Sequence, residues 1–121
     1  MTRKQEVGKL GEDIACSCLI KKGYKIIKRN FKKPWGEIDI IARAPGKTLV
    51  FVEVKAVSEG EIKAEDQLTK AKLKKLKRAA CLYAGHYPEK ISDKAGWRID
   101  LLAITLRRGD FSINHYENIV G

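Results

Sequence analysis

The chain has 121 residues, the length of one domain and too short for two independent hydrophobic cores, so we expect a single domain over residues 1–121. Lys and Arg number 25 against 15 Asp and Glu, and the resulting net charge of +10 at pH 7 makes nucleic acid the expected partner. No apolar run approaches the roughly 20 residues of a membrane span, and the N-terminus lacks the apolar core of a signal peptide, so we expect a cytoplasmic protein without a membrane partner.

The first predicted element is an amphipathic helix from residue 3 to about residue 22, ended by Gly23. Its expected apolar face consists of Val7, Leu10, Ile14 and Cys18 at helical spacing, widened by Ala15 and Leu19. Glu12 projects at the border of that face rather than on the solvated side. Two interpretations of Glu12 are open: an ordinary boundary residue, or an additional ligand that leans over a metal ion.

The cysteines do not have the spacing of a zinc site. Cys16, Cys18 and Cys81 contain no Cys-x-x-Cys pair and have only His86 and His115 as companions. This arrangement predicts buried free thiols.

A first strand is predicted over residues 24–31, followed by a basic turn that carries Lys32, Lys33 and an exposed Trp35. The two lysines are candidate nucleic-acid contacts. Trp35 could stack on an unpaired base or cap the edge of the sheet, and the sequence leaves both interpretations open.

A β-hairpin is predicted next, with strands at residues 36–43 and 48–57 around a turn at 44–47. In the first strand, alternation places Glu37 and Asp39 on one face and Ile38 and Ile40 on the other. The second strand is almost entirely apolar and is expected to be covered on both faces, yet Glu53 and Lys55 interrupt it.

The two charged residues of the second strand share a face, and the hairpin brings Asp39 beside Glu53, about one inter-strand spacing of ~5 Å away. Each ion that leaves water costs several kcal/mol unless a partner or a metal compensates. A divalent cation bound by both carboxylates would remove their mutual repulsion. The sequence therefore predicts a site in which Asp39 and Glu53 hold a metal ion beside Lys55.

These residues resemble the Asp…Glu-x-Lys core of the restriction-endonuclease-like superfamily. The resemblance becomes more specific with residues 8–15 (GKLGEDIA), 22–31 (KGYKIIKRNF), 36–41 (GEIDII) and 51–55 (FVEVK), which are similar to the YraN-like family of small bacterial proteins over almost the whole chain. That family's layout is similar to archaeal Holliday-junction resolvases, in which a Glu of the first helix lies beside the Asp and Glu-x-Lys. The resemblance implies a nuclease-like fold, a place for Glu12 at the metal and, by analogy with the resolvases, a homodimer. The family pattern usually continues after the lysine with Thr-Arg, whereas this chain has Ala56-Val57.

A polar, mobile segment is expected at residues 58–65, followed by the longest helix at residues 66–86. Leu68, Leu76, Ala79 and Tyr83 define its apolar arc, and Lys72 lies in the middle of that arc. Lys72 either extends to solvent or reaches the carboxylate cluster or a phosphate, and it matches a lysine position in the family pattern. The outward cations, Lys70, Lys74, Lys77 and Arg78, form a basic ridge that could follow a nucleic-acid backbone.

The remaining elements are an apolar strand at residues 97–104, with an internal ion pair between Arg98 and Asp100, and a last strand at residues 112–119. The order α-β-β-β-α-β-β predicts an α/β domain, a three-layer restriction-endonuclease-like fold with a mixed sheet of about five strands between helices.

The expected function is that of a metal-dependent endonuclease on DNA, with branched or otherwise structured DNA as the substrate. Oxygen ligands favour Mg²⁺ or Mn²⁺. Asp39, Glu53, Lys55 and Lys72 are the candidate catalytic residues, and Asp39, Glu53 and Glu12 the candidate metal ligands. Two alternatives stay open: a nucleic-acid-binding module that kept the fold but not turnover, which the missing Thr-Arg favours, and a ribosome- or protein-associated factor.

Overall fold

Two α-helices and five β-strands follow one another in the predicted order in the computed structural model, which describes residues 1–120. The elements are α1 (Arg3–Lys21), β1 (Lys25–Lys33), β2 (Gly36–Arg43), β3 (Leu49–Ser58), α2 (Lys70–His86), β4 (Trp97–Arg107) and β5 (Asp110–Tyr116). Short 3-10 helices at Ala64–Gln67 and Pro88–Lys90 flank α2. Within residues 1–120, no helix is both long and apolar enough to cross a membrane.

The five strands form one mixed sheet in the order β1-β2-β3-β4-β5. Strands β3 and β4 are parallel, because α2 lies in the crossover between them, and the other neighbours are antiparallel. On β3, Val50 and Val52 pack in the cluster with α1, while Leu49 and Phe51 pack in the cluster with α2. The alternation predicted for this strand is therefore confirmed, and the sheet is covered on both faces as its apolar sequence indicated.

Helix α1 begins with a capping box, in which Thr2 Oγ1 accepts a hydrogen bond from the Gln5 backbone N–H at 3.1 Å. Its buried stripe is Gly11, Ala15, Cys16 and Leu19. The prediction that Leu10 belongs to the apolar face is wrong, since Leu10 is 50% exposed. The stripe is rotated because Gly11 lies against the Ala56 side chain, where any Cβ would collide, and α1 approaches β3 closely at that glycine.

Strand β2 departs from regular alternation at Asp39. Ile38 packs on the α2 side of the sheet and Ile40 on the α1 side, so the prediction that the two share a face is wrong. Opposite this point on β1, Asn30 has a φ of 52°, a conformation that asparagine tolerates better than most residues. Asn30 and Asp39 lie between the pairs Phe31 with Ile38 and Arg29 with Ile40, and the register shift of β1 against β2 lies farther along, between Ile26 and Lys28. Asp39 lies between Ile38 and Ile40, where the side chains of β2 change from the α2 side of the sheet to the α1 side.

Several local expectations are also corrected. Strand β1 continues to Lys33, and Trp35 is half-buried rather than exposed, since its ring stacks on His86 at 5.1 Å between ring centroids. Helix α2 begins at Lys70, after the short 3-10 helix that starts at Ala64. Ala64 is fully buried. Of the three free thiols only Cys16 is buried, and Cys81 is exposed on α2.

Candidate functional site

A cleft of about 660 Å³ opens where β2 and β3 diverge, between α1 and α2. Its lining includes the predicted Glu12, Asp39, Glu53, Lys55, Lys72 and Arg78, together with Lys75, Glu37 and the turn Pro34, Trp35 and Gly36. The last β2–β3 pair at this end joins Ile40 to Val52, so Asp39 and Glu53 are the next residues on the two strands. The structure thus brings the carboxylates from α1, β2 and β3 and the lysines from β3 and α2 to one opening.

Asp39 and Glu53 are direct neighbours in the cleft. Oδ2 of Asp39 accepts a hydrogen bond from the backbone N–H of Val54 at 2.9 Å. This bond to a side chain stands where the next backbone hydrogen bond between β2 and β3 would otherwise form. Burial, the hydrogen bond that protonated Glu53 donates to Asp39, and the Asp39 charge raise the pKa of Glu53 to about 9. This raised pKa favours the protonated form of Glu53 at neutral pH.

Glu12 lies on the α1 wall of the same cleft, with its side chain 15% exposed. Burial and the Asp39 charge raise the pKa of Glu12, and Arg29, whose Nη2 lies 3.7 Å from Oε1, opposes them. Oε1 of Glu12 is buried without any hydrogen-bond partner. An acceptor left in that state costs free energy that a bound cation or an ordered water would recover.

The two lysines predicted for the site both line the cleft. A hydrogen bond with Lys55 and the Lys55 charge lower the pKa of Lys72, against a smaller opposing effect from Glu53. Lys72 is exposed, so it does not lie in the centre of the buried arc of α2, and its stem runs along the edge of the arc to the cleft. The two ammonium groups provide charge for an anion that enters the opening.

The basic ridge predicted on α2 is divided by the fold. Lys70, Lys74 and Lys77 are exposed and do not line the cleft, whereas Arg78 does. Lys75 also lines the cleft, and the sequence analysis had not selected it. Lys32 and Lys33 are exposed at the end of β1, next to the turn that closes one end of the cleft.

The donors present suit a hard cation bound by few protein ligands. Within residues 1–120, no three His, Cys, Asp and Glu side chains form a group that could hold a metal ion by themselves. Mg²⁺ usually keeps several waters and binds through one or two carboxylates plus substrate phosphates, which matches the Asp39–Glu53 pair. The unpartnered oxygen of Glu12, on the same cleft, fits a contact made directly or through water.

A second polar cluster, away from the cleft, is structural. Arg98 Nε donates to Asp100 at 3.0 Å, which confirms the predicted ion pair, and His115 lies 2.8 Å from the same buried carboxylate. Burial alone would raise the pKa of Asp100, but the hydrogen bonds from His115 and Arg98 outweigh it and hold the pKa below its usual value. The role of His115 could not be predicted, because it depends on the register of β5 against β4.

Comparison with known proteins places the chain in a family. The model of the uncharacterised protein family UPF0102 matches residues 11–104, which include every candidate catalytic residue. The chain belongs to UPF0102. This confirms the family to which the sequence resemblance pointed.

Relatives from distant bacteria match most of the chain. A UPF0102 protein of Thermotoga maritima is 38% identical over 111 residues, covering 92% of this chain and 94% of the relative. One of Thermodesulfovibrio yellowstonii is 40% identical over 114 residues, covering 93% and 94%. One of Campylobacter concisus is 42% identical over 97 residues, covering 80% and 81%.

Ala56 and Val57, the two residues that follow Lys55, are packing residues in the structure. Ala56 faces α1 and contacts Gly11, and Val57 is 3% exposed in a small cluster with Ala64 and Ala103. Neither side chain lines the cleft. Strand β3 therefore provides no cation to the cleft beyond Lys55.

Proposed function

We propose that this chain is a divalent-metal-dependent phosphodiesterase, an endonuclease that acts on DNA. The observation that carries the proposal is the pair of carboxylates, Asp39 and Glu53, which follow the last β2–β3 pair and line a cleft together with lysines. Placing two carboxylates side by side away from water costs free energy that an ordinary core does not recover. A cleft that binds a cation and a phosphate recovers it.

Asp39 and Glu53 would hold Mg²⁺ or Mn²⁺, with Glu12 in contact directly or through water. The bound ion would supply a Lewis acid that activates a water molecule and stabilises negative charge on the phosphate. Before both carboxylates can face a cation, the proton leaves Glu53. The backbone N–H of Val54 keeps the Asp39 carboxylate in place through that change.

The lysines act on the phosphate and the attacking water. Lys55, one pleat beyond Glu53 on the same face, orients the water or donates to a non-bridging phosphate oxygen. Lys72 supplies a second ammonium beside it. A phosphate between them would relieve their repulsion. Their positive charge would stabilise the negative charge of the phosphate in the transition state.

The decisive experiment incubates the purified protein with labelled four-way junction, flap, duplex and single-stranded DNA, with Mn²⁺, with Mg²⁺ and with EDTA. Metal-dependent cleavage is expected, and Glu53→Gln should reduce it by more than about 100-fold, because the amide cannot replace a carboxylate at the metal. Glu37→Gln is the matched control, since it removes an exposed carboxylate from the same cleft and leaves the Asp39–Glu53 pair intact. Equal cleavage by wild type and Glu53→Gln would contradict the proposal.

A second candidate function is a nucleic-acid-binding module without turnover. The apolar Ala56-Val57 pair favours it, because the cleft lacks the cation that the family pattern places two residues after the lysine. Binding without cleavage under every metal condition, unchanged in Glu53→Gln, would support this module. Lack of affinity for any of the four DNAs at about 0.1 M salt would support a ribosome- or protein-associated factor, since a multi-phosphate contact survives that screening. The cytoplasmic location and the homodimer stay predictions.

A further inference from the structure

The six cations of α2 divide into three that line the cleft and three that do not. With about 100° of rotation per residue, each step of three residues from Lys72 to Lys75 to Arg78 turns by about 60°, so Arg78 lies at the border between the two groups, about 40° from Lys74. All three line the cleft. Lys70, Lys74 and Lys77 point to the opposite side of the helix from Lys72 and are exposed. The first group is called the cleft row and the second the outer row.

The turn between β1 and β2 closes one end of the cleft and packs on α2. Pro34, Trp35 and Gly36 line the cleft there, and a Cβ at Gly36 would collide with the Ala79 side chain. Trp35 is fixed by its stack on His86, with 11° between the ring planes. Beside the positive charge of the cleft row, the cleft thus offers a rigid apolar surface of the kind on which sugars and bases pack.

The size of the cleft limits what can lie in it. A volume of about 660 Å³ is that of a pocket for one small-molecule ligand. Such a space matches one or two nucleotides of a single strand. Asp39 and Glu53 line this cleft, so a strand must enter it for its phosphate to reach them.

We propose that the cleft row binds consecutive phosphates of a single unpaired DNA strand, which runs along α2 between this helix and the α1 wall formed by Gly8 and Glu12, and that the outer row is only a solvated surface. This inference rests on the proposed function for the identity of the ligand as DNA. Lys55 and Lys72, which line the cleft together with Asp39 and Glu53, mark the end of the path nearest the carboxylates. Lys75 and Arg78 extend the path along the wall by about 4.5 Å of helix rise per step of three residues.

The two rows allow a matched comparison, because each contains three exposed cations of the same helix, two of which are replaced. Lys75→Ala/Arg78→Ala and Lys74→Ala/Lys77→Ala both lower the net charge by two, and alanine is favourable in a helix. Affinity is measured by fluorescence anisotropy in EDTA, with a labelled single-stranded oligonucleotide and with the duplex of the same sequence, over a range of salt concentrations.

The cleft-row variant should bind the single strand about tenfold more weakly at 0.1 M salt, and its dependence of log K on log salt should be shallower by about 1.4, two phosphates at about 0.7 each. The outer-row variant should bind the single strand almost as wild type does. Equal losses in both variants would mean that only net charge matters and would overturn the proposal, as would no loss in either. A loss for duplex as large as for the single strand would overturn the assignment to an unpaired strand.

Two features keep the test independent of other failures. Because EDTA removes divalent ions, a row-specific loss of binding stands even if no cleavage is ever observed, and in that case only the nuclease proposal fails. If a double variant does not fold, the single variants Lys75→Gln and Lys74→Gln are compared in the same way. The proposal requires the same ordering from them, with a slope change of about 0.7 for Lys75→Gln alone.

Discussion

Replacing Glu53 by glutamine should make the folded protein more stable at neutral and mildly alkaline pH. The ordinary pKa of Glu53 is 4.5, and in the folded chain it rises to about 9. Between these pH values the native state holds a proton at this site that the unfolded state has lost. Stability therefore falls as pH rises through this window, by about 1.4 kcal/mol per pH unit from this group. Glutamine keeps the shape and the hydrogen bond to Asp39 but does not titrate, so the loss should disappear.

The range from pH 5.5 to 7.5 lies well inside that window, so the expected slope does not depend on the position of either pKa. Over these two units the difference in free energy of unfolding between Glu53→Gln and wild type should grow by about 2–3 kcal/mol. The assay is urea unfolding in EDTA, followed by the fluorescence of Trp35 and Trp97, at several pH values. Taking the difference between variants cancels the contribution of every group that is the same in both proteins.

Glu37→Gln is the control, and its stability should follow that of wild type across the same pH range. Parallel pH profiles for Glu53→Gln and wild type would show that Glu53 is ionised in the folded protein, and the description of the carboxylate pair would then be wrong. A variant less stable than wild type at pH 7.5 would contradict the argument as directly.

Three further outcomes are expected. The affinity for Mn²⁺ should rise by up to tenfold per pH unit between about pH 6 and 8, because binding displaces the proton of Glu53. Calorimetry in buffers of different ionisation enthalpy would detect the release of that proton. An affinity that does not change with pH would refute this prediction. Asp100→Asn should lower the free energy of unfolding by about 3–5 kcal/mol, since it leaves the charge of Arg98 without its buried partner; a loss below 1 kcal/mol in urea unfolding would contradict the structural role. Gly11→Ala should destabilise by about 1–3 kcal/mol because its Cβ collides with Ala56, whereas Gly8→Ala, which has open space in the same helix, should be neutral or stabilising by thermal unfolding.

Both strands of the central hairpin could be predicted from local sequence, because apolar β-branched runs with turn residues between them have few other stable arrangements. The same holds for α1 and for the order of elements. On β3 the alternation also assigned each side chain to its layer correctly. These features depend on periods of two and 3.6 residues, which a single chain segment carries within itself.

Asp39 could be selected from the sequence, but its position between the two layers could not be predicted. That position depends on the conformation of Asn30 on the neighbouring strand and on the register between β1 and β2. The depth of α1 against the sheet likewise depends on Gly11 meeting Ala56, two residues far apart in the chain. Since α1 is rotated by that contact, Leu10 lies outside the core and Glu12 lies beside the cleft.

The amino-acid sequence by itself determined the family, the order of helices and strands, and the acidic and basic residues that could do chemistry. Only the tertiary structure decided which of them meet, which α2 cations face the cleft, and that Glu53 retains a proton beside Asp39. The reason is physical. Residue type and periodicity act over a few neighbours along the chain, whereas burial and charge repulsion are set by groups that come together only when the sheet and both helices have packed.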